Sequence, residues 1–496
     1  MNPISLFEKQ ADSPIWKGIW FLFFFLLPIT SMPAVVNLVH SDVVAAPSGL
    51  ILAVLLIGWV FPKLLSGEEF SENAIPLFCF VIVSLISTAV SFFYKIPIYK
   101  QSDPLRSSVS AIITVFIGAG FFIAVMLWVQ EPKRLRLALQ ALNWSGALVL
   151  IWTLMQAFFW YTTFGYPQWM KDIQYAVSVG SLYRQRFVGF ALEPSWLAHQ
   201  LNLLYLPFWF GATVTGYSAH SKRFGKITFE RILFVLGAVD LYLTLSRVGL
   251  AAFILSILFY FIWRIVHFAE VQSAGTKTPK KKKGLILLGF FVLIPFILLF
   301  ILWTLTKLDF RMAELFTVNI KGRNNPLMYL AEKLSLASRF SYWEGGLKIF
   351  SQFPILGVGL GHAGFYLPQN LSAFALRLVE VRDLLFRSEV LLNIKSLWIR
   401  ILAENGIIGF SFFVAWLVST WRLSRRMMAQ SNSLLKTAGW MGCFSIVAFL
   451  LEGFSLDTFA LPYLWVSMGL VGGVSLIPIP NGNFEEKHNL KEQHAS

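Results

Sequence analysis

Asn393–Trp421 reads "NIKSLWIRILAENGIIGFSFFVAWLVSTW". From Leu397 to Trp421 it is 25 residues long and carries two charges, Arg400 and Glu404, both near its start. As a helix rising 1.5 Å per residue it would reach about 37 Å, enough to cross the hydrocarbon core of a bilayer. The stretch therefore reads as a membrane-spanning helix with Lys395, Arg400 and Glu404 at its mouth. Ionisable groups at such a place are costly and tend to mark function.

The same signal recurs along the chain. Of 496 residues, 56% are hydrophobic and only 14% charged, against about 25% charged in a soluble protein; the mean hydropathy is +0.66. Runs near 20 apolar residues predict an all-α, polytopic transmembrane helical bundle of about 12 spans. They fall at 19–40, 46–62, 75–94, 109–129, 145–165, 195–216, 230–245, 248–268, 285–305, 397–421, 436–452 and 460–478. The chain thus divides into spans one to nine (1–305), a large extracytoplasmic loop (306–396), spans ten to twelve (397–480) and a polar tail (481–496) expected to be disordered. The first apolar run opens directly into further spans, so it reads as a start-transfer helix and not as a cleaved signal. Cys79 and Cys443 lie inside apolar runs and read as small core residues without a disulfide framework.

Charge sets the orientation. With the N-terminus inside, the inside segments hold 20 lysines and arginines and the short outside loops hold 7. The "TKTPKKKK" stretch, 276–283, is the strongest inside element. By the positive-inside rule both termini are cytoplasmic. The net charge of +15 is then explained by loops anchored at lipid headgroups and calls for no nucleic acid. The 306–396 loop carries eleven basic residues, which is compatible with export because long loops cross regardless of charge. A loop of that length is a small domain or a working part. Within it, 338–351 has helical periodicity with Phe340, Trp343, Leu347 and Phe350 on one stripe, which predicts helices lying on the membrane surface.

Four stretches on the predicted outer face hold the unusual residues. "YRQRFVGFALEPSW", 183–196, carries Arg184, Arg186 and Glu193, with Pro194 suited to a first helical turn. "TLSRVGLAAF" puts Arg247 at the tight junction of spans seven and eight, with Asp240 two turns back along span seven. The loop brings Arg339, Trp343 and Glu344, and the opening stretch brings Lys395 and Arg400. Any one arginine could be snorkelling to headgroups, and Glu193 could simply stabilise the positive end of span six. Together, several cations beside a glutamate suit a multiply charged anion, since the planar guanidinium fork matches phosphate oxygens. A lipid pyrophosphate is such an anion. "GVGLGHAG", 357–364, resembles a nucleotide loop only superficially, because no strand precedes it. His362 has no second histidine or cysteine at metal spacing, so no metal site and no cofactor are expected.

These residues resemble the bacterial O-antigen ligase and O-antigen polymerase superfamily of membrane glycosyltransferases. The resemblance rests on the many spans, the large late loop, "SRVG" at a span junction, "FPILGVGLGHAGF" and "LAENGIIGF", with "FALEPSW" looking like a pattern of the polymerase branch. The ligase branch has histidine and a small polar residue, nine residues, then Gly-x-x-Gly. Here Lys395 and Ser396 precede nine residues and then Gly406–Gly409, so the spacing matches and the histidine is a lysine. An ordinary lysine is protonated at neutral pH and can hold a phosphate, but it cannot take a proton.

The resemblance implies glycan transfer at the outer face of the bacterial plasma (inner) membrane from an undecaprenyl-type, polyprenyl-pyrophosphate-linked donor. It implies membrane lipids as surroundings and, as partners, the flippase and chain-length regulator of the same pathway. Glu193, Arg247 and Arg339 are the catalytic candidates. Arg184, Arg186, Trp343, Lys395 and Arg400 are the substrate-binding candidates, and Glu344 is the second candidate base. A polymerase of O-antigen or exopolysaccharide is the leading expectation and a ligase the alternative. A twelve-span transporter or flippase would instead place charges near mid-membrane in repeated halves.

Overall fold

A computed structural model describes residues 13–41, 44–221, 227–273 and 336–478. The "TKTPKKKK" stretch, span 285–305, the first part of the large loop and the tail from 481 lie outside the described residues. Among them all regular secondary structure is helical, apart from one isolated bridge between Ser31 and Ala45. The helices are α1 Pro14–Phe25, α2 Pro33–Val39, α3 Pro47–Leu65, α4 Ala74–Ser91, α5 Pro104–Trp128, α6 Pro132–Thr163 and α7 Gln168–Val177. They continue as α8 Pro194–Gln200, α9 Leu206–Thr215, α10 Phe229–Leu243, α11 Arg247–Ser273, α12 Ala337–Gln352 and α13 Ala363–Asn370. The last three are α14 Leu397–Met428, α15 Ser433–Glu452 and α16 Tyr463–Ser475.

Seven of these helices are long and apolar enough to cross a membrane: α3, α4, α5, α6, α11 (over Arg247–Val266), α14 and α15. Their outward faces carry exposed apolar side chains such as Ile86, Ile113, Phe116, Ile151, Ile262 and Val418. Lipid tails cover such a belt, while the backbone polar groups are satisfied within each helix. The protein is a multi-pass membrane protein.

Packing follows from large aromatics set against small residues. Trp20 stacks on Trp128 at 4.6 Å and Trp416 on Trp465 at 4.9 Å. Gly118 and Gly146 leave room for Trp465 and Trp209, which a Cβ at either glycine would meet. Small residues that admit a partner helix are the usual contact of membrane helices, where no hydrophobic driving force separates helix from lipid.

Two spans differ most from their sequence limits. The run 19–40 is interrupted after Phe25, because Pro28 and Pro33 cannot continue a helix, and α2 follows as a separate short piece. The run 145–165 belongs to a helix that begins at Pro132. Arg134 is therefore buried, paired with Glu131 at 3.1 Å and lying over the Trp128 ring. The predicted inside segments that are described meet at one end of the bundle. Glu72 pairs with Arg426 at 2.9 Å, and Arg136 donates to the Ala219 carbonyl at 2.8 Å.

At the other end, residues 336–396 fold over the bundle around Tyr342, Ile349, Val358 and Phe365, which pack on Ile399 and Ala403 of α14. The buried face of α12 combines the small Ser338, Ser341, Gly345 and Gly346 with Tyr342 and Ile349. The predicted stripe points the other way: Phe340 and Leu347 are exposed, while Trp343 and Phe350 are half-buried.

Candidate active site

The site end is organised by a break in α14. Gly406 adopts φ 61° and ψ −166°, which interrupts the helix and strands the carbonyls before it. The glycine-rich strap supplies the missing partners. Val358 N–H donates to the Ala403 carbonyl and Gly359 N–H to that of Glu404, both at 2.9 Å, and Ile407 N–H donates to Pro354 at 2.8 Å. Gly357 and Gly359 hold φ of 72° and 85°, and Gly357 sits so close that a Cβ would lie 2.6 Å from the Ala403 oxygen. "GVGLG" is thus a strap that satisfies broken backbone inside the bundle. His362 is buried beneath it, its ring nitrogens 3.0 Å from Ser91 Oγ and 2.7 Å from Ser108 Oγ.

Upstream of the break, Lys395 has φ 58° and Ser396 caps α14, its Oγ accepting from Ile399 N–H at 3.5 Å. The spacing from Lys395–Ser396 to Gly406 is therefore the distance from helix cap to helix break. Arg400 donates to Glu404 at 2.9 Å one turn later and to the Asp457 carbonyl, and it lies over the Phe459 ring. The charges at the mouth of the span hold the entry together. Arg400 keeps 17% of its side chain exposed and Glu404 only 4%.

The sequence candidates fall into two groups. In the first, the loop before α8 lies on the α10–α11 junction. Phe187 N–H donates to the Leu243 carbonyl at 3.3 Å and Arg186 Nε to that of Thr244 at 3.4 Å. The junction is three residues long, with Leu245 at φ 49°, and it sets Arg247 at the first position of α11, half-buried. Glu193 precedes α8 at its N-cap position and is exposed, its carboxylate accepting from Ser195 Oγ at 3.2 Å and making no capping bond; Arg184 is exposed nearby in sequence. In the second group, the turn after α15 gathers the remaining candidates. Arg339 donates to the Ser455 carbonyl at 3.2 Å, and Lys395 N–H to Asp457 Oδ2 at 3.2 Å. Trp343 packs on Phe454 and reaches the Lys395 carbonyl at 3.5 Å. Glu344 lies apart from both groups and pairs with Lys348 at 2.6 Å; that hydrogen bond holds its carboxyl below the usual range, which makes it a weaker base.

Residues that the sequence reading passed over join the two groups. Glu452, buried at the end of α15, accepts from Asn202 Nδ2 at 2.7 Å and lies 3.4 Å from His199 Nδ1. Asn202 also donates to the Gly249 carbonyl, two residues beyond Arg247, at 2.8 Å. It sits in a π turn, Leu201–Tyr205, between α8 and α9; such turns often accompany functional sites. The available signal was a carboxylate closing an apolar run, "FLLEGF". Its partners lie about 250 positions away, so spacing could not reveal them.

Residues 232–414 match the family described as O-antigen ligase. None of the curated proteins compared matches the chain. The matched stretch holds Arg247, Arg339, Trp343, Lys395, Arg400, the glycine strap and the Gly406 break; Glu193, Arg186, Glu452 and Asp457 lie outside it. The match covers 183 of the 496 residues, and over that stretch the chain is similar to the O-antigen ligase family, in line with the superfamily that its sequence resembles.

Proposed function

We propose that this protein is a glycan polymerase of a bacterial plasma membrane. It would transfer oligosaccharide repeats from a polyprenyl pyrophosphate carrier to a carrier-linked acceptor at the outer face. The supporting observation is the gathering of Arg186, Arg247, Arg339, Lys395 and Arg400 at one end of the bundle, with three of those arginines and the lysine inside the family-matched stretch. In this reaction the acceptor hydroxyl oxygen attacks the anomeric carbon of the donor. The bond from that carbon to the pyrophosphate oxygen breaks, and its electron pair leaves with the carrier pyrophosphate. Arg247, Arg186 and Arg339 stabilise the charge that develops on this leaving group. The hydroxyl proton passes to Glu193, the exposed carboxylate at the α8 cap. Arg400 orients the entry of α14, and Trp343 offers an aromatic face for sugar. The flippase and chain-length regulator of the same pathway are the proposed partners.

A ligase is the second reading, favoured by the description of the matched family and by the Lys395–Ser396 to Gly406–Gly409 spacing. The glycan made by a deletion strain separates the two. A polymerase mutant retains single repeats on the acceptor and loses polymer. A ligase mutant accumulates carrier-linked polymer that never reaches its acceptor. A deletion strain with normal polymer, normally attached, refutes both.

A further inference from the structure

At the end of the bundle away from the candidate site, α9, α11, α14 and α15 border a cavity of about 590 Å³. Three cations line it: Arg264 of α11, Arg425 near the end of α14 and Lys436 in the first turn of α15. Ser431 and Ser433 add hydroxyls, and no aspartate or glutamate is among the lining residues. Three other cations at this end form ion pairs, Arg426–Glu72, Lys63–Glu68 and Arg134–Glu131. Among the described residues none of Arg264, Arg425 and Lys436 forms an ion pair.

Like charges drawn around one space repel unless an anion sits between them. The N-terminus of the 20-residue α15, capped by Asn432, opens at the same place and adds partial positive charge. The wall of the cavity is aromatic. Trp263 and Trp440 line it, edge to face at 4.7 Å. Behind them the surface continues through Tyr260, Phe210 and Phe444, with Phe210 stacked on Phe444 at 4.1 Å. A cationic rim beside an apolar wall fits an amphiphile with an anionic head and a hydrocarbon tail. The space is far larger than one phosphate needs, and an aromatic wall offers a free phosphate nothing.

We propose that this cavity binds an anionic glycerophospholipid from the surrounding leaflet. Its phosphate is held by Arg264, Arg425 and Lys436, and an acyl chain lies along Trp263 and Trp440. The lipid bridges α11, α14 and α15, the helices that carry Arg247, Arg400 and Glu452 at their opposite ends. The assignment is independent of the reaction catalysed.

The test uses the full-length protein, with native mass spectrometry counting retained lipid in mixtures of phosphatidylglycerol and phosphatidylcholine. Wild type is expected to retain phosphatidylglycerol preferentially. Arg264→Gln, Arg425→Gln and Lys436→Gln together should weaken that binding about 100-fold, at about fivefold for each surface cation removed. Arg422→Gln with Arg426→Gln removes charge at the same end and should leave retention within about twofold. If the triple variant does not fold, each single variant should show its own fivefold loss. Equal retention of the two lipids, or a triple variant that matches wild type, overturns the proposal. So does inorganic phosphate that raises the melting temperature as much as phosphatidylglycerol does.

Discussion

At the scale of single residues, chemistry and structure ask different things of the charges at the site end. Arg247 is held by a three-residue junction and half-buried, where a lysine would keep the charge but lose the two-pronged donor. Arg247→Lys is expected to keep wild-type expression and thermal stability and to lower polymer formation about 100-fold, the usual effect of removing one transition-state donor. Full activity of that variant would mean that Arg247 only anchors a helix end. Glu193→Gln should abolish polymer while donor binding stays near normal; an active variant moves the base elsewhere. Arg400 is different, because its partner Glu404 is almost fully buried. Arg400→Ala leaves that carboxylate uncompensated and should cost about 3–5 kcal/mol of stability. Arg400→Met with Glu404→Leu should recover most of the loss in unfolding experiments, since the pair holds the helix entry and an apolar pair can replace it.

At the scale of elements, the central event is the break in α14 and the strap that fills it. Gly406 has a conformation that costs an L-residue, and a Cβ there would collide with the Ile355 carbonyl, which is backbone and cannot move aside. Gly406→Ala should therefore lose about 2–4 kcal/mol from the combined strain and overpacking. Gly18→Ala, on a helix with nothing within 4 Å of its Cβ position, should be neutral or slightly stabilising. Comparing the melting temperatures of the two variants checks this. A Gly406→Ala protein as stable as wild type would mean that the strap does not hold the break.

At the scale of the whole molecule, one end carries Lys63, Arg134, Arg426 and the cationic cavity, and the other carries the candidate site. The positive-inside rule assigns the first end to the cytoplasm. In a Cys79→Ser, Cys443→Ala background, Arg387→Cys should react with a membrane-impermeant thiol reagent in intact cells. Arg426→Cys should react only after permeabilisation. Both side chains are well exposed, at 81% and 63%, so burial does not confuse the result. The reverse pattern would place the arginine cluster where no lipid-linked glycan on the outer face could reach it.

Hydrophobic run length alone located the seven described helices that are long enough to cross, because each membrane helix must satisfy its own backbone and so declares itself locally. Arg247 at a tight junction was legible for the same reason: it depends on near neighbours. The loop helix at 337–352 was legible as a helix but not in its facing. Its predicted apolar stripe points outward, while the buried face combines Tyr342 and Ile349 with Ser338, Ser341, Gly345 and Gly346, whose small size allows close approach to α13 and α14. Only the tertiary structure decided that the strap serves the Gly406 break. It also decided that Arg400 is tied to Glu404 and Asp457, and that Glu452, His199 and Asn202 join the two groups of candidates. Apart from Arg400–Glu404, one turn apart, those pairings join unsatisfied carbonyls and buried charges to partners about 45 to about 250 positions away, and no periodicity in one chain encodes that distance.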